Sequence, residues 1–180
     1  MLYRRSRIAG GTYFFTVVTD GRRPFLCEPG HITLLRSVLR DVMGRHPFTI
    51  DAMVVLPDHL HAIWTLPADD CDYAIRWSLV KGGFTRSCAP HCKSNPSASR
   101  RARKEQAVWQ HRFWEHAIRD EEDFAKHVDY IHYNPVKHRH AAAPRDWPYS
   151  SFHRFVRSGH LPLDWAAVGG IDIADNIGNE

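Results

Sequence analysis

The 180-residue chain has no run of eighteen apolar residues, so no transmembrane helix is expected. Its first residues, MLYRRSRIAGG, carry charge but no apolar segment ahead of a cleavage site, which argues against a secretory signal. No segment repeats another. Cysteine is sparse: Cys27, Cys71, Cys88 and Cys92 show no CxxC spacing. Cys88, His91 and Cys92 could ligate a metal together with Cys71, but free thiols in a reducing cytoplasm are the simpler expectation. What is present suits one folded domain, or one domain with an extension. Hydrophobic residues make up 43% and aromatics 12% of the chain, enough to bury a sizeable core, so disorder is not the default.

The net charge is only +4, yet the basic residues are clustered. Arg4, Arg5, Arg7, Arg22 and Arg23 lie near the first strand pattern, Arg100, Arg101, Arg103 and Lys104 form a second group, and Lys137, Arg139 and Arg145 a third. Tyr3, Tyr13, Trp77, Trp109 and Trp114 are interleaved with them, a composition that suits a nucleic-acid groove. Charge runs are also ordinary solvated faces, so this feature alone decides nothing. Thirteen histidines could add positive charge in mild acid.

Periodicity orders the chain as β-α-β-β-α-β-α. GGTYFFTVVTD from Gly10 reads as a strand closed by Asp20-Gly21, and residues 30–45 carry apolar positions at helical spacing. FTIDAMVVL and HLHAIWTL read as two strands joined by a turn at Pro57-Asp58. Residues 69–88 read as a helix whose second half is weakened by Gly82-Gly83. Residues 89–107 are polar, basic and aperiodic, and read as a loop. RFWEHAIRD is the fourth strand. Asp120, with Asp123 three residues on, caps a final helix that Pro135 is expected to stop. This order predicts an α+β, ferredoxin-like fold: a four-stranded antiparallel sheet with helices on one face, formed by residues 1–140, with residues 141–180 as a C-terminal extension packed on it.

The chemistry-bearing stretch is VVLPDHLHAIW. On a strand, His59 and His61 point to the same face and offer adjacent imidazoles to a divalent metal. An arbitrary pair at this spacing is more often two half-buried, hydrogen-bonded histidines. A partner elsewhere raises the metal reading, and HVDYIHYNPVK supplies one. Tyr130 and Asn134 are four residues apart on one helix face, with Lys126 and His127 just before. Asn134 offers a carbonyl oxygen to a hard cation. Tyr130 offers a phenol, a poor nucleophile at neutral pH unless Lys126 or a metal-linked water helps.

The segments GGTYFFTVVT, VVLPDHLHAIWTLP, FWEHAIRD, DYIHYNPVKH and WPYSSFHRFV, in this order, resemble the REP-associated tyrosine transposases. These are bacterial single-tyrosine members of the HUH endonuclease/transposase superfamily, named for the His-hydrophobic-His motif. The resemblance spans nearly the whole chain; the segment 89–107 matches no firm pattern. It implies that His59 and His61, with Asn134 in the place of a third polar ligand, bind Mg²⁺ or Mn²⁺. It implies that Tyr130 attacks a DNA phosphate to give a 5′-phosphotyrosyl enzyme. Tyr133 is a rival that helix geometry alone does not exclude. The implied partner is single-stranded DNA bearing REP hairpins with an adjacent guide tetranucleotide, handled by a cytoplasmic, nucleoid-associated monomer without membrane contact. Arg4, Arg5, Arg7, Lys126, Lys137 and Arg139 are the candidate DNA contacts. The alternatives are a catalytically idle REP-hairpin binder and an HUH replication initiator or relaxase.

Overall fold

The computed structural model describes residues 7–102, 106–167 and 177. β1 (Thr12–Val18), β2 (Thr49–Val55), β3 (His59–Thr65) and β4 (Trp114–Ala117) form one antiparallel sheet in the order β2-β3-β1-β4. The central strands β1 and β3 are buried at both parities, so both faces of the sheet are covered.

On one face Tyr13, Phe15, Val17, Leu60, Ala62 and Trp64 pack against α1 (His31–Arg45) and α2 (Tyr73–Ser87). Trp64 stacks on Trp77 of α2 with ring centroids 4.0 Å apart. The glycine pair that weakens the α2 pattern has a packing reason. A Cβ at Gly83 would sit 2.8 Å from Val38 Cγ1 of α1, so glycine lets the two helices approach.

The other face, with Phe14, Ala52, Val54 and Ile63, receives α4 (Glu121–Lys137) through Val128, Tyr130 and Ile131. The expected sheet and helices are therefore present, but helices on one face holds only for α1 and α2. α4 crosses to the opposite side, where the second apolar set of the central strands would otherwise be open to water.

Pro135 does not stop α4. The helix runs on to Lys137, because a proline this close to the end removes a single intrahelical donor. Termination comes just beyond Lys137. Arg139 takes a left-handed conformation (φ 59°), its N–H bonds Val136 O at 2.9 Å, and the N–H of His140 bonds Pro135 O at 2.8 Å. That pair of bonds is a Schellman closure, with arginine where glycine is usual. At the other end Asp120 caps as expected, accepting from Asp123 N–H at 2.8 Å.

Two described parts of the segment 89–107 are regular rather than loop. They are a 3-10 turn at Pro90–Cys92 and a short helix α3 (Ala98–Ala102). Arg23, grouped by sequence with candidate DNA contacts, ties the segment's two ends together by donating to the carbonyls of Cys92 at 2.6 Å and Ala107 at 2.8 Å. Tyr13, Trp77 and Trp109 likewise belong to the core, so of the interleaved aromatics only Trp114 is described as partly exposed. Tyr3 lies outside the described residues.

The C-terminal extension completes the sheet edge. Val55 N–H bonds Tyr149 O and Ser151 N–H bonds Met53 O, at 2.9 and 2.8 Å, and Trp147 Nε1 donates to Val55 O at 3.0 Å. These bonds occupy backbone groups of β2 that an edge strand would leave exposed. α5 (Phe152–Arg157) follows, and Phe152 is fully buried.

Candidate active site

The hairpin turn at Pro57-Asp58 sets the register that puts His59 and His61 on the α4 side of the sheet; Leu56 N–H bonds His59 O at 2.8 Å across it. Opposite them on β1 stand Val18 and Thr16. Both imidazoles are buried, and their ring centroids are 4.9 Å apart.

Each ring is held by its Nδ1. His59 Nδ1 lies 2.7 Å from Asp58 Oδ1 and His61 Nδ1 lies 2.9 Å from Thr16 Oγ1. Asp58 also accepts from Arg22 Nη1 at 3.0 Å. Burial alone would raise its pKa, but the hydrogen bonds and charges of His59 and Arg22 outweigh that and bring it down to about 2. An ionised carboxylate only accepts hydrogen bonds, so the proton of a neutral His59 sits on Nδ1 and the lone pair on Nε2. That Nε2 is buried and has no hydrogen-bond partner among the described residues. A buried imidazole nitrogen oriented by a carboxylate on its far side fits a metal ligand, since the carboxylate fixes the tautomer and raises basicity.

Tyr130, Asn134 and His138 recur every fourth residue and share one side of α4 and its C-cap. The Tyr130 ring stands 5.1 Å from that of His61, edge-on, and the His138 ring 5.2 Å from that of His59. Tyr130 and Asn134 are wholly buried. Lys137 Nζ donates to Tyr130 Oη at 3.2 Å and lies 4.7 Å over its ring. The structure thus brings together His59, His61, Tyr130, Asn134 and Lys137 of the residues singled out from sequence. Reading the sequence missed Asp58, Thr16 and His138. For His138 the signal was available in the fourfold spacing through Tyr130 and Asn134.

Other expectations part from this geometry. Lys126 does not assist Tyr130: it is exposed and donates to Glu122 at 2.6 Å on the outer side of α4. His127 turns away to the start of the helix. Its Nδ1 donates to Asp123 O at 2.7 Å and its ring stacks on His116 at 4.7 Å, while His116 Nε2 lies 2.9 Å from Asp123 Oδ2. Arg119 also donates to that oxygen, from Nε and from its backbone N–H, each at 3.0 Å. These bonds clasp the first turns of α4 to β4. Arg7 and Arg139 are exposed, whereas Arg4 and Arg5 lie outside the described residues. All four cysteines are free thiols. Cys92 meets His31 Nε2 at 3.6 Å, and burial pushes its thiol up to about 11 and that of Cys27 up to about 12. Cys71 does not join Cys88, His91 and Cys92 in a ligand group; among the described residues the four-residue centre weighed from sequence is not formed.

No protein-family model matches the chain. It is 42% identical over 176 residues to a Haemophilus influenzae protein provisionally named a REP-associated tyrosine transposase, covering 97% of this chain and 98% of the relative. It is 45% identical over 164 residues to the REP-associated tyrosine transposase of Escherichia coli K12, covering 91% of this chain and 90% of that one. Among solved structures, a REP-associated tyrosine transposase bound to a REP hairpin superposes with a TM-score of 0.82 at 41% identity, over 100% of this chain and 97% of its own. Identity at this level along nearly the entire length, with the same fold, establishes that the chain belongs to the REP-associated tyrosine transposases.

Proposed function

We propose that the protein is a metal-dependent, single-stranded DNA transposase that cleaves and rejoins REP-type hairpin DNA through a 5′-phosphotyrosine on Tyr130. The observation that carries this reading is the packing of the Tyr130 phenol against His61, beside a His59 whose Nε2 lone pair is oriented by Asp58. His59, His61 and Asn134 would hold Mg²⁺ or Mn²⁺. When bound, such an ion neutralises charge on the scissile phosphate and orients it.

The residues of the chain supply the rest. Tyr130 attacks the phosphorus and the strand leaves with a 3′-hydroxyl. A later 3′-hydroxyl reverses the step, and because the covalent link conserves the phosphodiester no energy source is needed. Arg7 and Arg139 present exposed guanidinium groups that suit backbone phosphates, and Arg4 and Arg5 remain candidate contacts by charge. Lys126 is a solvent-side candidate of the same kind. The related solved structure carries a REP hairpin, which supports a hairpin ligand here; the guide tetranucleotide and a monomeric state complete the proposal. Tyr130 is fully covered, so a phosphate reaches Oη only once part of that cover moves.

The same burial favours the second reading, a hairpin binder that does not cut. Incubating labelled single-stranded hairpin DNA with the protein and Mg²⁺ or Mn²⁺ separates the two. Strand transfer predicts a denaturant-resistant protein–DNA adduct that maps to Tyr130 and disappears in Tyr130→Phe. The binder predicts retarded DNA with no adduct, and an adduct on Tyr133 would move the nucleophile.

A further inference from the structure

Lys137 was singled out from sequence as one more cation near the scissile strand, yet its ammonium is on the nucleophile itself. Seven residues are close to two full helical turns, so Lys137 and Tyr130 lie on the same side of α4. Side chains on a helix lean toward its N-terminus, which lays the long lysine chain back over the tyrosine. The result is a 3.2 Å hydrogen bond from Nζ to Oη, with the cation 4.7 Å above the ring centroid. Tyr130 has no exposed surface while Lys137 is solvent-exposed, so the bond joins an ammonium at the solvent edge to a buried phenol.

We infer that Lys137 is a catalytic residue of the strand-transfer reaction, whose ammonium stabilises the Tyr130 phenolate both as it attacks and as it departs. The inference rests on the strand-transfer reading above. In cleavage, the bond from Oη to phosphorus forms while the bond from phosphorus to the 3′ oxygen breaks. The phenolic proton passes to water and the departing 3′ oxygen takes one up from water, while Lys137 stays protonated and keeps its N–H directed at Oη. In rejoining, a 3′-hydroxyl gives its proton to water as it attacks, the Oη–phosphorus bond breaks, the same N–H receives the negative oxygen, and the phenolate then takes a proton from water. A reversible exchange needs a tyrosine that leaves as readily as it attacks, and one fixed cation on Oη serves both directions. Loss of one donor aimed at a developing oxyanion slows reactions by about 10²–10³-fold.

The test uses Lys137→Met, Lys137→Arg and Lys137→Ala in the full-length protein, with adduct formation followed in a single turnover at saturating hairpin. Hairpin affinity is measured separately in EDTA. Lys137→Met is expected to form adduct about 100-fold more slowly or worse, with hairpin affinity changed by less than about threefold. Lys137→Arg should keep much of the rate, and added methylamine should restore Lys137→Ala about tenfold, which a structural role would not allow. Slow adduct formation with an equal loss of hairpin affinity and no amine rescue would make Lys137 a phosphate holder and overturn the assignment, as would an unchanged rate in Lys137→Met. Absence of any adduct from the unaltered protein would overturn the strand-transfer reading itself, and this role with it.

Discussion

His59 Nδ1 and Asp58 Oδ1 are 2.7 Å apart, and the far nitrogen of the same ring is buried with no hydrogen-bond partner among the described residues. The carboxylate that precedes the histidine in sequence thereby selects the tautomer in which the inward nitrogen carries the lone pair. Asp58→Ala should weaken Mn²⁺ binding by about 10–100-fold, the usual effect of losing such an orienting group. Hairpin binding in EDTA should stay near that of the unaltered protein. Calorimetric titration with Mn²⁺ reads the first, and gel retardation the second; unaltered Mn²⁺ affinity would show that Asp58 serves only the turn and Arg22.

The Tyr130 ring meets His61 of its own chain at 5.1 Å, so the proposed nucleophile and the proposed metal ligands meet within one chain. Mixing Tyr130→Phe with His59→Ala is therefore expected to give no adduct above that of either variant alone. Recovered adduct in the mixture would mean that helices are exchanged between two copies.

His132 lies on the side of α4 away from Tyr130 and Asn134. It is wholly buried beneath Phe152 and Phe155, with Nε2 2.9 Å from Ser151 Oγ. Burial first, then the positive charge of Arg154, lowers its pKa from 6.5 to about 3. Its folded pKa is depressed, so the unfolded chain binds the proton more readily. The stability that neutral His132 contributes is complete above pH 6.5 and is lost as pH falls from there toward 3. The loss approaches about 1.4 kcal/mol per pH unit inside that window. Urea unfolding at pH 7.5, 6.0 and 5.0 should show falling stability, and His132→Gln should show a shallower fall. Parallel curves for the two proteins would assign the acid sensitivity to other groups.

Arg139 ends α4 with φ 59°, a conformation that costs a non-glycine residue about 1–2 kcal/mol. Arg139→Gly should therefore stabilise the fold by about 1 kcal/mol in urea unfolding. If the exposed guanidinium also holds one phosphate, the same change should flatten the slope of log K against log salt by about 0.7 for a single strand. A more stable variant with weaker, less salt-dependent DNA binding is the expected pair of outcomes. A variant with an unchanged slope would remove Arg139 from the DNA contacts.

Much of this was legible in local pattern, because local physics dictates it. Alternation and β-branching define the four strands, the Asp120 cap starts α4, and the two-residue period puts His59 beside His61 whatever the sheet packs on. Tyr130 and Asn134 share a face for the same kind of reason. The side of the sheet that α4 covers was not legible. β1 and β3 carry large apolar residues at both parities beside His59, His61 and Thr16, so their sequences do not say which helix takes which face. The end of α4 was misread at Pro135, since a missing N–H within the last turn is tolerated when a left-handed residue beyond it closes the carbonyls. The basic residues divided only in three dimensions. Arg23 binds carbonyls, Lys126 pairs with Glu122, Lys137 bonds Tyr130 and Arg139 faces solvent. A lysine or arginine reads alike in sequence wherever it points. Spacing along one strand and one helix was enough to name the candidate residues, because both periods are fixed by the backbone. The meeting of His59 with His138, and of Lys137 with Tyr130, depended on docking α4 against the sheet, a long-range arrangement that no local period encodes.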